Sequence, residues 1–181
     1  MEQIRIHGRG GQGSVTMAQM LAQAAFEGDK WSQGFPSYGV ERRGAPIQAF
    51  ARIDDVKITD RSQVDNPDFV IVQDSTLVGL VDVLDGRTDG GLVLVNTAST
   101  PEEVGLETNE KIVTIDATSI ALDHLGKPIM NTSLLGAFAG ATGLIDIDDL
   151  EEVIKRKFPG EIGDKNVAAA REAYERVKEN D

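Results

Sequence analysis

Three short runs constrain the fold most: Phe69-Val70-Ile71-Val72, Leu92-Val93-Leu94-Val95 and Ile112-Val113-Thr114-Ile115. Each is rich in β-branched residues, too continuously apolar to leave one face wet, and ends in a polar residue (Gln73-Asp74, Asn96, Asp116). Such runs suit parallel strands covered on both sides. Parallel strands need crossovers, and the intervening segments supply them: Ser75 to Leu84 has helical apolar spacing, and Thr118 to Leu125 predicts a second short helix before Gly126-Lys127-Pro128. The expectation is an α/β chain with a Rossmann-like open, mainly parallel sheet and helices on both faces. At 181 residues it fits a single domain, 1–181.

The first third adds a strand, a turn and a helix. Ile4-Arg5-Ile6 alternates, and Val15, Ala18, Leu21, Ala22 and Ala25 repeat at helical spacing until Gly28. Ser32 to Gly39 is dense in turn formers and reads as a loop with one short strand at its start. Ile47 to Ile53 alternates as a half-buried strand, with Lys57-Ile58-Thr59 expected to pair with it in a hairpin. Towards the C-terminus, Asn131-Thr132-Ser133 is expected to cap a small-residue helix from Leu134 to Ala141. Asp148-Asp149-Leu150-Glu151 is expected to open a helix reaching Phe158, and Val167, Ala170, Tyr174 and Val177 mark a last amphipathic helix.

Between the first strand and helix lies Gly8-Arg9-Gly10-Gly11-Gln12-Gly13, with the spacing G-x-G-x-x-G. Glycines there let the backbone turn tightly and approach a phosphate, while helix N-terminal amides attract negative charge; Ser14 and Thr16 offer hydroxyls. The dinucleotide version also needs an acid about 20 residues on, at the end of the second strand. Trp31-Ser32-Gln33-Gly34-Phe35 stands there instead. A phosphate-bearing ligand, a dinucleotide and a tight turn with no ligand all remain open. Arg42-Arg43, beyond the aromatic loop, make a candidate anion trap, against the plainer role of a surface or interface salt-bridge pair.

Composition excludes other chemistries. The chain has no cysteine, hence no disulfide, thiolate nucleophile or self-held iron–sulfur cluster, and two histidines are too few for a His-rich metal site. No G-x-S-x-G elbow, triad context or paired carboxylates stand out, so no catalytic residue and no metal ligand is nominated. His7 and the strand-end residues Asp74, Asn96 and Asp116 read as hydrogen-bonded ends or caps as readily as ligand contacts. The net charge of −12 disfavours nucleic acid, although the first 62 residues are nearly balanced, with eight basic and seven acidic side chains. No apolar run approaches the roughly 18 residues of a membrane span, and Met1-Glu2-Gln3-Ile4-Arg5 lacks a signal-peptide head, so a cytoplasmic protein without a membrane partner is expected. Trp31, Phe35, Tyr38 and Phe50 read as core or interface, with exposed apolar surface expected beside the Phe35 to Tyr38 loop.

Taken together, Ile4 to Gly13, the loop Phe35-Pro36-Ser37-Tyr38-Gly39-Val40-Glu41-Arg42-Arg43-Gly44-Ala45-Pro46, and Gly126-Lys127-Pro128-Ile129-Met130-Asn131-Thr132 resemble the gamma subunit of pyruvate:ferredoxin oxidoreductase, essentially end to end. Glu41 to Pro46 is similar to the pyruvate and branched-chain members of the wider 2-oxoacid:ferredoxin group rather than to its 2-oxoglutarate members. The resemblance implies one subunit of a complex that decarboxylates a 2-oxoacid on thiamine diphosphate, passes electrons through [4Fe-4S] clusters to ferredoxin, and transfers the acyl group to coenzyme A. Thiamine diphosphate, Mg²⁺ and the clusters would lie on alpha, beta and delta-type partners. On matching positions, Gly8, Arg9, Gly10, Gly11, Gln12, Gly13, Arg42 and Arg43 become candidates to hold coenzyme A phosphates, with the isolated chain inactive. Asn131, Thr132, Leu135 and Gly136 match a family motif too, for packing or ligand contact. The rival readings are a structural interaction subunit that binds nothing and a stand-alone NAD-dependent oxidoreductase.

Overall fold

The computed structural model describes residues 1–37, 42–87 and 90–180. Six strands form one open sheet in the order β2-β3-β1-β4-β5-β6: β1 (Glu2–Arg9), β2 (Trp31–Pro36), β3 (Pro46–Asp54), β4 (Phe69–Val72), β5 (Leu92–Asn96) and β6 (Lys111–Ile115). β1, β4, β5 and β6 run parallel, with Ile6 beside Ile71 and Ile71 beside Leu94. The three apolar runs are therefore parallel strands, as their composition requires. β3 is antiparallel to both β1 and β2. Because those neighbours occupy both of its edges, Lys57-Ile58-Thr59 has no edge to pair with; the Ile58 carbonyl accepts instead from the Gln33 side chain at 3.4 Å. The strand at the start of the 32–39 loop runs on through Pro36, and Tyr38 and Gly39 lie outside the described residues.

Alternate residues of β1, β3, β4, β5 and β6 face one large core. Ile4, Ile6, Ala49, Ala51, Ile53, Ile71, Leu92 and Leu94 meet all five α-helices there: α1 (Ser14–Glu27), α2 (Ala117–Leu125), α3 (Asn131–Thr142), α4 (Ile147–Lys157) and α5 (Glu161–Glu179). The small residues of α3 serve close packing on α5. Thr132 Oγ1 donates to Asn166 at 2.9 Å. A Cβ on Gly136 would stand 1.9 Å from the Ala170 carbonyl oxygen, and one on Gly140 2.8 Å from that of Tyr174. Partners advance four residues at a time on both helices, so α3 and α5 run parallel with their N-termini at one end.

Two helix starts differ from expectation. Asp146, not Asp148, caps α4, its carboxylate accepting the Asp148 N–H at 2.7 Å. α3 begins at Asn131 with Met130 at its cap position, so Asn131, Thr132 and Ser133 are helical residues with buried side chains rather than caps.

The opposite face of the sheet has a thinner cover. Val70, Val72, Val93 and Val95 pack under Leu77 and Val83, flanked by Val78, Val81, Leu84, Val104 and Leu106. The helix expected over 75–84 is one short 3-10 turn, Ser75–Leu77, followed by further turns. A second 3-10 turn, Pro101–Val104, shares this layer. The open, mainly parallel α/β sheet stands as read, but the helices expected on both faces do not: all five α-helices lie on one side, and 3-10 turns and loop, too short to form a helix over two strands, cover the other. Beside this layer the same face of β1 and β3 carries Arg5, His7 and Arg52, all buried.

Candidate functional site

The parallel strands end, and α1, α2 and α3 begin, at one edge of the sheet, the edge where open α/β sheets hold ligands. The glycine loop lies there. Gly13 is the N-cap of α1 at φ +77, a left-handed conformation that L side chains rarely adopt, and it provides no side-chain cap. Gly10 is flat against the segment entering β3: its N–H donates to the Ala45 carbonyl at 2.9 Å and its carbonyl accepts from the Gly44 N–H at 2.9 Å. A Cβ there would stand 2.3 Å from the Arg42 carbonyl oxygen. The two elements singled out in the sequence, residues 8–13 and Arg42-Arg43, therefore form one surface.

The charged groups divide into half-buried supports and exposed ends. Arg9 is engaged inward: Nε pairs with Asp74 at 3.1 Å, Nη1 donates to the Gly44 carbonyl at 3.0 Å and Nη2 to Thr76 Oγ1 at 2.7 Å. Gln12 accepts the Arg9 N–H at 2.7 Å and donates to Asp74 at 3.1 Å. Burial pushes the Asp74 carboxyl up, but the Thr76 hydroxyl and N–H, the Gln12 amide and the Arg9 charge outweigh it and hold the group below its ordinary range. Arg42 and Arg43 are exposed, and Arg43 lies over Gly11, its Cγ 3.7 Å from where a Cβ would be. They form no ion pair among the described residues.

Beneath the loop runs a buried polar chain. Ser14 Oγ–H donates to Gln73 Oε1, Gln73 Nε2 donates to Asn131 Oδ1 at 2.7 Å, and Asn96 Nδ2 donates to the Gln73 carbonyl and to Thr118 Oγ1, both at 2.9 Å. The chain ties the ends of β4 and β5 to the starts of α1, α2 and α3. It absorbs the Ser14 hydroxyl, which thus points inward. His7 is buried one strand position before the loop and accepts from Arg5 Nε at 3.1 Å, the role of a hydrogen-bonded strand end. Asp116 caps α2 through the Ser119 N–H at 2.9 Å, and Asp74 caps the 3-10 turn. Gln73 is the site residue that sequence reasoning missed; its signal, a polar residue ending an apolar strand, was read as a generic end. Asn131, expected for packing or ligand contact, is brought to the site through Gln73.

The surroundings differ from those of a dinucleotide turn. There, the strand beside the first one runs parallel to it and brings an acid to the ribose. Here the flanking strand is antiparallel β3, so the same edge receives its beginning, led in by Arg42-Arg43. The arrangement suits anionic oxygens rather than ribose hydroxyls. Among the described residues no group of three or more His, Cys, Asp or Glu could hold a metal ion, and no helix is long and apolar enough to cross a membrane. Phe50 is core, Phe35 is half-buried with the Arg52 guanidinium 5.2 Å from its ring centroid, and the exposed apolar side chains of this edge, Phe26 and Trp31, lie at the opposite end of β2.

Residues 3–176 match the family model described as pyruvate ferredoxin/flavodoxin oxidoreductase. The chain is 60% identical over 178 residues to pyruvate synthase subunit PorC of Methanothermobacter marburgensis, covering 98% of each protein. It is 54% identical to the pyruvate/ketoisovalerate oxidoreductases common subunit gamma of Thermococcus litoralis, across 98% of this chain and 97% of that one. Among solved structures, pyruvate oxidoreductase subunit PORC from Thermotoga maritima aligns with a TM-score of 0.85 at 41% identity, over 96% of this chain and 95% of its own.

Proposed function

Because the chain belongs to the pyruvate ferredoxin/flavodoxin oxidoreductase family, we propose that its 181 residues act as one gamma domain contributing to the coenzyme A site of the complex. The resemblance drawn from three motifs is borne out by whole-length identity to PorC and gamma subunits. The chain is the gamma subunit of a 2-oxoacid:ferredoxin oxidoreductase, with pyruvate the substrate its relatives' names carry. In that reaction the pyruvate carboxylate leaves as CO₂, two electrons pass to ferredoxin, and the acetyl group moves to the coenzyme A sulfur.

Thiamine diphosphate supplies the carbanion chemistry of decarboxylation, and [4Fe-4S] clusters carry the electrons. Neither has a seat on this chain in our reading, since clusters need thiolates and the sequence has no cysteine. Alpha, beta and delta-type subunits supply them. What this chain offers is a docking edge for phosphates. One observation carries the assignment: the exposed Arg42-Arg43 segment lies with its backbone against Gly10 and the Arg43 side chain over Gly11, beside an uncapped helix start. Gly10 to Gly13 bring backbone close to the ligand, Gly8 lies buried against Ser14 and Gln73 and lets the loop sit down on them, Arg9 and Gln12 hold the loop's shape through Asp74, and Arg42 and Arg43 engage phosphate oxygens.

The test uses the complex purified without oxygen, with ferredoxin reduction followed on pyruvate, 2-oxoisovalerate and 2-oxoglutarate. Activity is expected with pyruvate and only with coenzyme A present. Reversing charge in R42E/R43E should raise KM for coenzyme A roughly tenfold or more while leaving KM for pyruvate in place. An unchanged coenzyme A KM in an assembled variant complex refutes the phosphate-holding role.

A further inference from the structure

β2 lies at one end of the sheet, with β3 on its inner side and no strand on its outer side. The Ser37 N–H donates to the Gln48 carbonyl at 3.0 Å, which fixes the phase of the β2–β3 ladder. Antiparallel ladders alternate, so Trp31, Gln33 and Phe35 also direct their backbone groups to β3, while Ser32, Gly34 and Pro36 turn theirs outward. The window for a further strand is short. Pro36 has no N–H, and the Lys30 N–H is committed to the Ala25 carbonyl at 3.0 Å. Hollows flank that window on both faces of the sheet, one of 320 Å³ beside Gln33 and Phe35 and one of 670 Å³ beside Gln19, Gln23 and Phe26 of α1.

A bare edge is a template for another strand, and the sequence of this one specifies which strand fits. Trp31-Ser32-Gln33-Gly34-Phe35 is its own antiparallel complement about Gln33. Turned end for end against a copy, Ser32 meets Gly34 of the copy and Gly34 meets Ser32 of the copy, and each pair exchanges both backbone bonds. Every outward N–H and C=O group of the two residues is then used. Centring on Ser32 would set Gly34 against Lys30, whose N–H is taken, and centring on Gly34 would set Ser32 against Pro36, which has none; either leaves a carbonyl unmet on each copy. In the Gln33 register the side chains agree too. Trp31 and Phe35 share the face away from α1 and stand opposite each other across the seam, with Gln33 against Gln33. Trp31, 48% exposed, gains cover, and the α1 helix of the copy comes alongside Phe26, 63% exposed. The other edge of the sheet lacks this fit: the outward residues of β6 are Ile112 and Thr114, and pairing about Val113 would set Lys111 against Ile115.

We infer that the β2 edge is a self-association surface, filled by β2 of a second copy of this chain paired antiparallel about Gln33. The two glycine loops then lie at opposite ends of the joined sheet and stay open, so the inference stands apart from the coenzyme A reading. The test is analytical ultracentrifugation of the full chain over a dilution series, for the wild type, Gln33→Glu and Gln33→Lys. The wild type should show a monomer–dimer equilibrium. Each variant places like charges directly opposite each other in the dimer alone and should self-associate roughly tenfold more weakly or worse, while an equimolar mixture of the two should recover a dimer. A wild type that is monomeric up to its highest soluble concentration overturns the inference, as do variants that dimerise like the wild type or fail to re-pair when mixed. Should the variants not fold, amide exchange of the wild type decides: Ser32 and Gly34 should exchange slowly when concentrated and fast when dilute, and exchange independent of concentration refutes the pairing. Protection of these amides only in the assembled complex, with the isolated chain monomeric, would assign the edge to another subunit and overturn the inference equally.

Discussion

Acid should weaken this fold through one buried histidine, well above the pH at which most carboxylates titrate. His7 is 2% exposed and accepts from Arg5 Nε at 3.1 Å, while Arg5 donates to the carbonyls of Val83 and Asp85. Protonating His7 would remove the acceptor and set two cations together out of water. Burial first, then the Arg5 charge, lowers its pKa to about 4, against a smaller opposing effect of Asp82. An unfolded histidine titrates near 6.5. Above pH 6.5 both states are neutral and the stability is whole; between 6.5 and 4 the unfolded chain binds a proton that the native one refuses. The loss is about 1.4 kcal/mol per pH unit, or about 3 kcal/mol by pH 4. The assay is urea unfolding at steps from pH 7.5 to 4.5, for the wild type and for His7→Gln, whose amide oxygen can replace the ring acceptor. The gap between the two should close as pH falls. A gap that stays constant, or a His7 ring that titrates near its ordinary value by NMR, refutes the reasoning. The effect reaches the site because the His7 carbonyl accepts the Gln73 N–H at 2.8 Å.

Gly13→Ala should cost about 1–2 kcal/mol for its left-handed backbone alone and displace Asn131, so urea unfolding should shift to lower denaturant. Gly136→Ala drives a methyl into the Ala170 carbonyl on α5; a loss of about 1–3 kcal/mol or more is expected, read as a lowered Tm. Leu77→Ala opens the thin second layer, where few other side chains cover Val70 and Val93, and should cost about 2–5 kcal/mol in denaturant unfolding.

The parallel strands were legible because Val70, Val72, Val93 and Val95 need cover on a second face, which excluded half-wet hairpins. The cover itself was not legible. Val78, Val81 and Leu84 fall at helical spacing, yet they are placed by turns that wind over two strands, with Leu80 and Val81 N–H groups bonding back to Leu77 rather than continuing a helix. The 57–59 hairpin failed for a tertiary reason: the strand spacing was sound, but β1, some 45 residues earlier, had taken the edge of β3. At the site, the glycine spacing and the arginine pair were visible as separate features. Their contact through Gly10 and Ala45 depends on that same antiparallel pairing. Gln73 escaped notice because a buried amide and a solvated strand-end amide are spelled identically in a sequence, and the same ambiguity left Asn131 between packing and ligand contact.

The seam between Gly10 and the 42–45 segment has a bearing on how the molecule forms. A strand, turn and helix that closed their own phosphate cradle could fold as an early local unit, ready before the rest of the chain. Here the second wall of the cradle arrives only when β3 has zipped along β1, and the floor only when β4 and α3 bring Gln73 and Asn131 from 58 or more residues away. Such distant closures are slow compared with helix formation. The seam is thus a late product of folding, and a peptide spanning only β1 and α1 would carry the glycines without the surface they help to build.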